Sequence, residues 1–239
     1  FGGMDPGAGG DLVRSKGLRL VGLSQVYPFN SWSETVRDEV AALIRIAKAS
    51  GAETISLIPR NDGTGTGNGE RQANLRLALR EVLPMLRDAG MVALVEPLGF
   101  PVSSLRSKEE TVRAIEDLGG RDHFKLVHDT FHHTLAGGGP IYPEHTGIVH
   151  ISGVKDPDIA VTDMLDAHRV LIDGNDRLGN VEQIDALIAA GYDGVFSFEC
   201  FAPETHAMAD PEREIRKSFE FIAAHLALAG AHAEYGTFP

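Results

Sequence analysis

Four short apolar segments each end on a side chain able to ligate a metal or move a proton. They read Val92-Ala-Leu-Val-Glu96, Phe124-Lys-Leu-Val-His-Asp129, Ile148-Val-His150 and Val195-Phe-Ser-Phe-Glu199. A charged group at the inner end of a buried strand is costly unless something compensates it. A single ending of this kind is ordinarily a salt-bridge partner, but four at the same strand end suggest one site. In a parallel barrel the carboxyl ends of all strands meet on one face, where the site is built. Glu96, Asp129, His150 and Glu199 converging there would make an oxygen-rich cage with one imidazole. Such a donor set suits one divalent ion: Mn2+, Mg2+, Co2+ or Zn2+. Alternation along a strand decides what points inward together. Val127 shares the face of Asp129 while His128 points away, Ser152 goes with His150, Ser197 goes with Glu199, and Cys200 faces the helices.

The elements that must carry these residues alternate between strand-like and helix-like. Leu18–Gln25 reads as a first strand. Ser33 is an N-cap for a helix with Val36, Val40, Leu43, Ile44 and Ala47 on one face, stopping at Gly51. A strand over Thr54–Pro59 precedes a helix over Glu70–Ala89 in which Pro84 predicts a kink. Ser107-Lys-Glu-Glu110 has capping-box spacing and opens the helix after the Glu96 strand. Val181–Ala190 reads as a helix broken by Gly191, and Asp210-Pro211 opens a last helix carrying Ile215, Phe219, Ile222 and Leu226. This order predicts an α/β fold built on a parallel sheet. It fits a (β/α)8 TIM barrel with about six βα units, because a unit takes roughly 30 residues and the stretch before Leu18 cannot hold two more. The expectation is one domain over residues 1–239 that is incomplete at its N-terminus, lacking the first two strands. The opening Phe1-Gly-Gly-Met-Asp-Pro-Gly-Ala-Gly-Gly has no periodicity and reads as loop.

The 239 residues allow one large domain with a substantial core, and the 43% hydrophobic and 23% charged composition is ordinary for a globular protein. Net charge is −12, from 22 basic and 34 acidic residues, which argues against nucleic acid as a partner. The single cysteine, Cys200, excludes an intrachain disulfide and suits a cytoplasmic location. No apolar run is long enough to span a membrane. The run Asp62-Gly-Thr-Gly-Thr-Gly-Asn-Gly69 lacks the lysine of a phosphate loop and the spacing of a dinucleotide fingerprint, and reads as a mobile lid with Arg60 and Asn61 at its base. Tyr27-Pro-Phe-Asn-Ser-Trp32 follows the first strand, and its aromatic side chains either wall the pocket or pack among loops.

The segments Glu96-Pro-Leu-Gly99, His128-Asp-Thr-Phe-His132, Val149-His-Ile-Ser152 and Phe198-Glu-Cys-Phe201 resemble the xylose-isomerase-like TIM barrels. Within that family they resemble the inosose (2-keto-myo-inositol) isomerase and ketose 3-epimerase branch, over about Leu18 to Ile222. The resemblance implies one divalent metal, manganese among the candidates, held by Glu96, Asp129, His150 and Glu199. It also implies substrate contacts from His132 and from Arg169 in Asp166-Ala-His-Arg169. Of the adjacent histidines His132 and His133, one is expected to face the site, His132 being favoured, and the other to be a solvated surface residue. Two positions depart from the family pattern: Gly153 stands where an Asp often follows the His strand, and Arg169-Val-Leu-Ile-Asp-Gly174 replaces Arg-x-x-Pro-Gly.

The implied activity is isomerisation or epimerisation of a small keto-polyol, a sugar or inositol-derived substrate, through an enediolate. Glu199 is expected to abstract the proton and Glu96 to return one from the other side of the ring. Two readings compete with this one. A dehydratase on the same scaffold would lose water after the same proton abstraction, and a non-catalytic barrel would keep the metal and sugar sites without turnover. Homo-oligomerisation is left open.

Overall fold

The computed structural model describes residues 2–228. The chain divides into two compact units, with the division between Val127 and His128. The first unit opens with helix α1 (Pro6–Ser15), then β1 (Gly22–Val26), α2 (Glu34–Ser50), β2 (Thr54–Leu57), α3 (Asn68–Ala89), β3 (Val92–Val95) and α4 (Lys108–Asp117). Strand β4 (Phe124–Asp129) begins in this unit and ends in the second. The second unit continues with α5 (Thr130–Leu135), β5 (Thr146–Ile151), α6 (Asn180–Ala189), β6 (Val195–Phe198), α7 (Pro203–His206) and α8 (Pro211–Leu228). The six strands follow one another in sequential order, β1-β2-β3-β4-β5-β6. This is an α/β fold of parallel βα units, about six of them, as in a TIM barrel. Parallel neighbours need a crossover between them, and the helices supply it.

Register follows from the apolar runs. Thr54, Ile55, Ser56 and Leu57 pair in turn with Val92, Ala93, Leu94 and Val95, and Ala93 to Val95 pair with Phe124 to Leu126. Ile55, Leu57, Ala93, Val95, Leu126 and Phe124 are almost fully buried, as expected of strands covered on both faces. Helix α2 begins at Ser33, whose hydroxyl accepts the N–H of Val36, and ends at Gly51 in the left-handed conformation (φ 74°). In α4 the Ser107 hydroxyl accepts the N–H of Glu110, so both anticipated caps are present. The second unit has its own core of Val149, Ile151, Ile172, Ile184, Leu187 and Ile222.

The start of the chain differs from expectation. Residues read as loop form α1, capped by Asp5, whose carboxylate accepts the N–H of Ala8, with Pro6 in its first turn. Its Gly9 and Gly10 are buried, and a Cβ on Gly10 would lie 1.9 Å from the carbonyl oxygen of Ser50. The glycines that lower helix propensity and hide the periodicity are what allow α1 to press against the end of α2. Ladder pairing in β1 starts only at Gly22, four residues later than expected, and Leu18 is 62% exposed.

Replacing Gly10 by Ala tests this packing. Helix propensity alone would add up to about 1 kcal/mol, whereas a methyl forced against backbone costs typically about 1–3 kcal/mol. Urea unfolding should show net destabilisation for Gly10→Ala and a shift within about 0.5 kcal/mol for the exposed Leu12→Ala. A Gly10→Ala protein as stable as wild type would contradict the close approach.

Candidate functional site

In the second unit, three of the anticipated residues come together. Asp129 ends β4 and caps α5, with Oδ1 accepting the N–H of His132 at 3.0 Å. His150 sits opposite Ser197 in the parallel β5–β6 pair, and the N–H of Glu199 donates to the carbonyl of Ile151 at 3.0 Å. In-register parallel strands bring these two ends level, so His150 Nδ1 lies 3.4 Å from Glu199 Oε2. One ligand atom from each of Asp129, His150 and Glu199 lies within 4.8 Å of the others. Two carboxylates and one imidazole form a cluster able to bind a divalent cation, with hard oxygens and one borderline nitrogen.

Arg169 occupies the middle of this group. Its Nη2 donates to Asp129 Oδ2 at 2.5 Å and to Glu199 Oε2 at 2.8 Å. Its Nε donates to Ser152 Oγ at 2.9 Å and its Nη1 to Asp166 Oδ1 at 3.2 Å. The guanidinium carbon lies 4.9 Å from the ring centre of Phe131 and 5.1 Å from that of Phe201. Although 1% exposed, Arg169 therefore has a partner on every edge and two aromatic contacts. Burial works against its charge, but Asp129, Glu199 and Asp166 outweigh that and raise its pKa above the ordinary arginine value. For Asp129, burial alone would push the carboxyl up. Arg169, followed by His132 and His150, overrides it and holds the group well below the usual carboxylate range.

Local backbone explains how Arg169 reaches this position. A single 3-10 turn (Asp166–His168) precedes it, and the two-way hydrogen bonds between Gly153 and Val170, at 2.7 and 2.9 Å, tie the following segment to the end of β5. A Cβ on Gly153 would stand 3.3 Å from both Asp176 Oδ1 and the Leu171 carbonyl, so this departure from the family pattern goes with a close backbone pairing. His132 is buried on the first turn of α5, while His128, on the opposite side of β4 from Asp129, shares a hydrogen bond with Gln183 of α6 at 3.1 Å. His168 accepts the N–H of Leu165 and closes its own turn, and Lys155 pairs with Asp173 at 2.6 Å. Burial pushes the Cys200 thiol up to about 11. Sequence reasoning missed Phe131, Phe201 and Asp166 as partners of Arg169. The repeated acid-x-Phe spacing, Asp129-Thr-Phe131 and Glu199-Cys-Phe201, is the signal that could have found the two rings.

In the first unit, Glu96 follows β3 and is 4% exposed, with its N–H donating to the Leu57 carbonyl at 3.2 Å. The glycine-rich run after β2 is stitched down at its start. Asp62 Oδ1 accepts from the N–H and hydroxyl of Thr64 at 2.9 and 2.6 Å, Arg60 Nη1 donates to Thr64 Oγ1, and the Gly63 N–H reaches the Val102 carbonyl. A carboxylate taking those donors is the opposite of a phosphate cradle. Of the aromatic residues after β1, Phe29 is fully buried in the core and Trp32 packs against that core, whereas Tyr27 is 43% exposed. No helix among the described residues is long and apolar enough to cross a membrane.

A family model described as xylose isomerase-like TIM barrel matches residues 9–225. A xylose isomerase domain-containing protein from Salmonella typhimurium LT2 is 30% identical with a TM-score of 0.84, covering 94% of this chain and 82% of that one. The IolI protein, solved with a bound zinc atom, is 18% identical with a TM-score of 0.83, covering 94% and 84% of the two chains. An L-ribulose 3-epimerase is 18% identical with a TM-score of 0.65, covering 98% and 85%. The latter two likenesses concern the fold. No curated protein matches the chain.

Arg169→Met keeps volume and removes the charge. Leaving buried carboxylates uncompensated should cost about 3–5 kcal/mol at neutral pH, read by urea unfolding of the metal-free protein. The folded-state pKa of Asp129 is depressed, so its contribution is present above the ordinary value of about 3.9 and lost as pH falls through the lower folded value. Without Arg169, burial pushes the same carboxyl up, so the gap between wild type and variant should narrow as pH falls from neutrality through the variant's raised value and on below about pH 4. A variant as stable as wild type at pH 7 would contradict the assigned role.

Proposed function

Because the chain belongs to the xylose isomerase-like TIM barrel family, we propose that it is a divalent-metal-dependent isomerase or epimerase of a small keto-polyol, an inosose or a ketose. The observation that carries this reading is the grouping of Asp129, His150 and Glu199 around a buried arginine. The family resemblance assigns Glu96, the acid that ends β3, as the fourth ligand. The zinc-bound IolI protein supports the metal, and the L-ribulose 3-epimerase supports the substrate class.

A bound divalent cation supplies a Lewis acid that polarises the substrate carbonyl and stabilises charge as the α-proton leaves. The chain supplies the remaining chemistry. Glu199 is the abstracting base, since its carboxylate is the less buried of the two acids in the cluster, with 28% of the side chain exposed against 0% for Asp129. Asp129 is committed to a helix cap and to Arg169, which suits a ligand and not a mobile base. Glu96 returns the proton, and His132 and Arg169 orient the polyol. Return to the opposite face of the same carbon epimerises, whereas delivery to the neighbouring carbon isomerises.

Incubating the Mn2+-loaded protein with a panel of inososes and ketoses in D2O tests this reading by NMR. Deuterium should enter the α-position of at least one substrate, in a product of unchanged mass once exchange is counted. Glu199→Gln should retain the metal and slow exchange about 10²–10⁴-fold. Exchange at the wild-type rate in that variant would reduce Glu199 to a ligand, and a product lighter by one water would identify a dehydratase.

A further inference from the structure

Asp129 is flanked by two residues whose placement converges on one side chain outside the site. His128 Nε2 lies 3.1 Å from Gln183 Oε1, and Gln183 Nε2 lies 3.2 Å from the carbonyl oxygen of Thr130. The same nitrogen reaches Leu178 O at 2.9 Å and Thr134 Oγ1 at 3.1 Å. Three oxygens surround the amide nitrogen, so the carboxamide oxygen must face the histidine. An acceptor there requires His128 to carry its proton on Nε2 and donate it. Thr134 directs its own hydroxyl hydrogen to Thr130 O at 3.0 Å or Leu178 O at 3.2 Å, leaving its oxygen free to accept.

The consequence for Asp129 is geometric. One of its oxygens caps α5 through the N–H of His132, so the plane of its carboxylate follows the direction in which α5 leaves the strand. Gln183 holds that departure point from both sides, through the side chain before Asp129 and the carbonyl after it. Its helix is itself fixed to the site. Asn180, three residues earlier on the same face of α6, is fully buried and donates from Nδ2 to the Ser152 carbonyl at 2.8 Å. Ser152 is the residue whose hydroxyl holds Arg169.

We infer that Gln183 is a positioning residue that sets the orientation of the Asp129 carboxylate toward the bound cation, through simultaneous hydrogen bonds to His128 and to the first turn of α5. The inference rests on the metal-site reading proposed above. Groups hydrogen-bonded to a metal ligand are typically worth about 10–100-fold in affinity, and Gln183 acts through the two residues that flank Asp129, the proposed ligand with the least freedom of its own.

The test is Mn2+ affinity, read from the free-Mn2+ EPR signal during titration of the folded, metal-free chain. Gln183→Met, which fills the volume and removes both the donor and the acceptor, should bind Mn2+ about 10–100-fold more weakly than wild type. Gln183→Glu keeps an acceptor for His128 but loses amide donors to the carbonyls, and should fall between the two. Ser218→Ala removes a different buried hydrogen bond of this unit, Ser218 Oγ to the Ile172 carbonyl at 2.6 Å, and should leave the affinity unchanged. Wild-type affinity in Gln183→Met overturns the inference. Should that variant not fold, wild-type affinity in Gln183→Glu overturns it equally. An equal loss in Ser218→Ala would also overturn it, since general loosening would then explain the effect. A wild-type protein that binds no Mn2+ would instead overturn the metal site itself, and the inference with it.

Discussion

A guanidinium with almost no access to water, shared among three carboxylates, is the interaction on which the rest of this site depends. Burying an isolated carboxylate in a low-dielectric interior is so costly that the group would normally take up a proton. Asp129 instead stays ionised because Arg169 meets it at 2.5 Å while also reaching Glu199 at 2.8 Å. Lysine could not replace it. A planar fork serves several oxygens at fixed angles and stacks on aromatic faces, whereas an ammonium is a compact point charge on a flexible stem. Phe131 and Phe201 exploit that planarity, and Ser152 and Asp166 fix the remaining nitrogens. One cation against the carboxylates of Asp129, Glu199 and Asp166 leaves the group net negative. That balance favours an added divalent cation and disfavours an anionic ligand.

The backbone is arranged to serve this pairing. β5 and β6 run parallel and in register, which levels His150 with Glu199. β4 gives way at Asp129 to a short helix that the same residue caps. The Gly153–Val170 bridge then returns the chain so that Arg169 points back among the strand ends. Family membership accounts for the architecture, and the ionised, arginine-braced cluster accounts for why a metal-assisted enolisation is the reading proposed. Neither would carry that reading alone, since a fold hosts many chemistries.

Much of this was legible in the sequence because the relevant forces are local. Alternation along β4 correctly separated Asp129 from His128, and short-range cap chemistry located α2 at Ser33 and α4 at Ser107. The grouping of Asp129, His150 and Glu199 was legible because charge at the end of an apolar run is anomalous wherever it occurs. Helix α1 was not, because glycine-rich sequence carries no period and its helicity depends on a neighbour, the Ser50 carbonyl against Gly10. The anchoring of Arg169 by Ser152 and of His128 by Gln183 joins residues 17 and 55 positions apart, and nothing in either local pattern announces the partner. The aromatic stretch after β1 shows the limit from the other side. Core packing and a pocket wall look identical in one dimension, and Phe29 turned out to be core.

The central claim is that these side chains exist to hold one divalent cation. Metal content per chain, measured by elemental analysis after dialysis against Mn2+ and then against metal-free buffer, tests it most directly when wild type and Asp129→Ala are compared. The account predicts about one cation per wild-type chain and essentially none in the variant, because Asp129 is the most rigidly held of the proposed ligands. Equal metal content in the two proteins would contradict it.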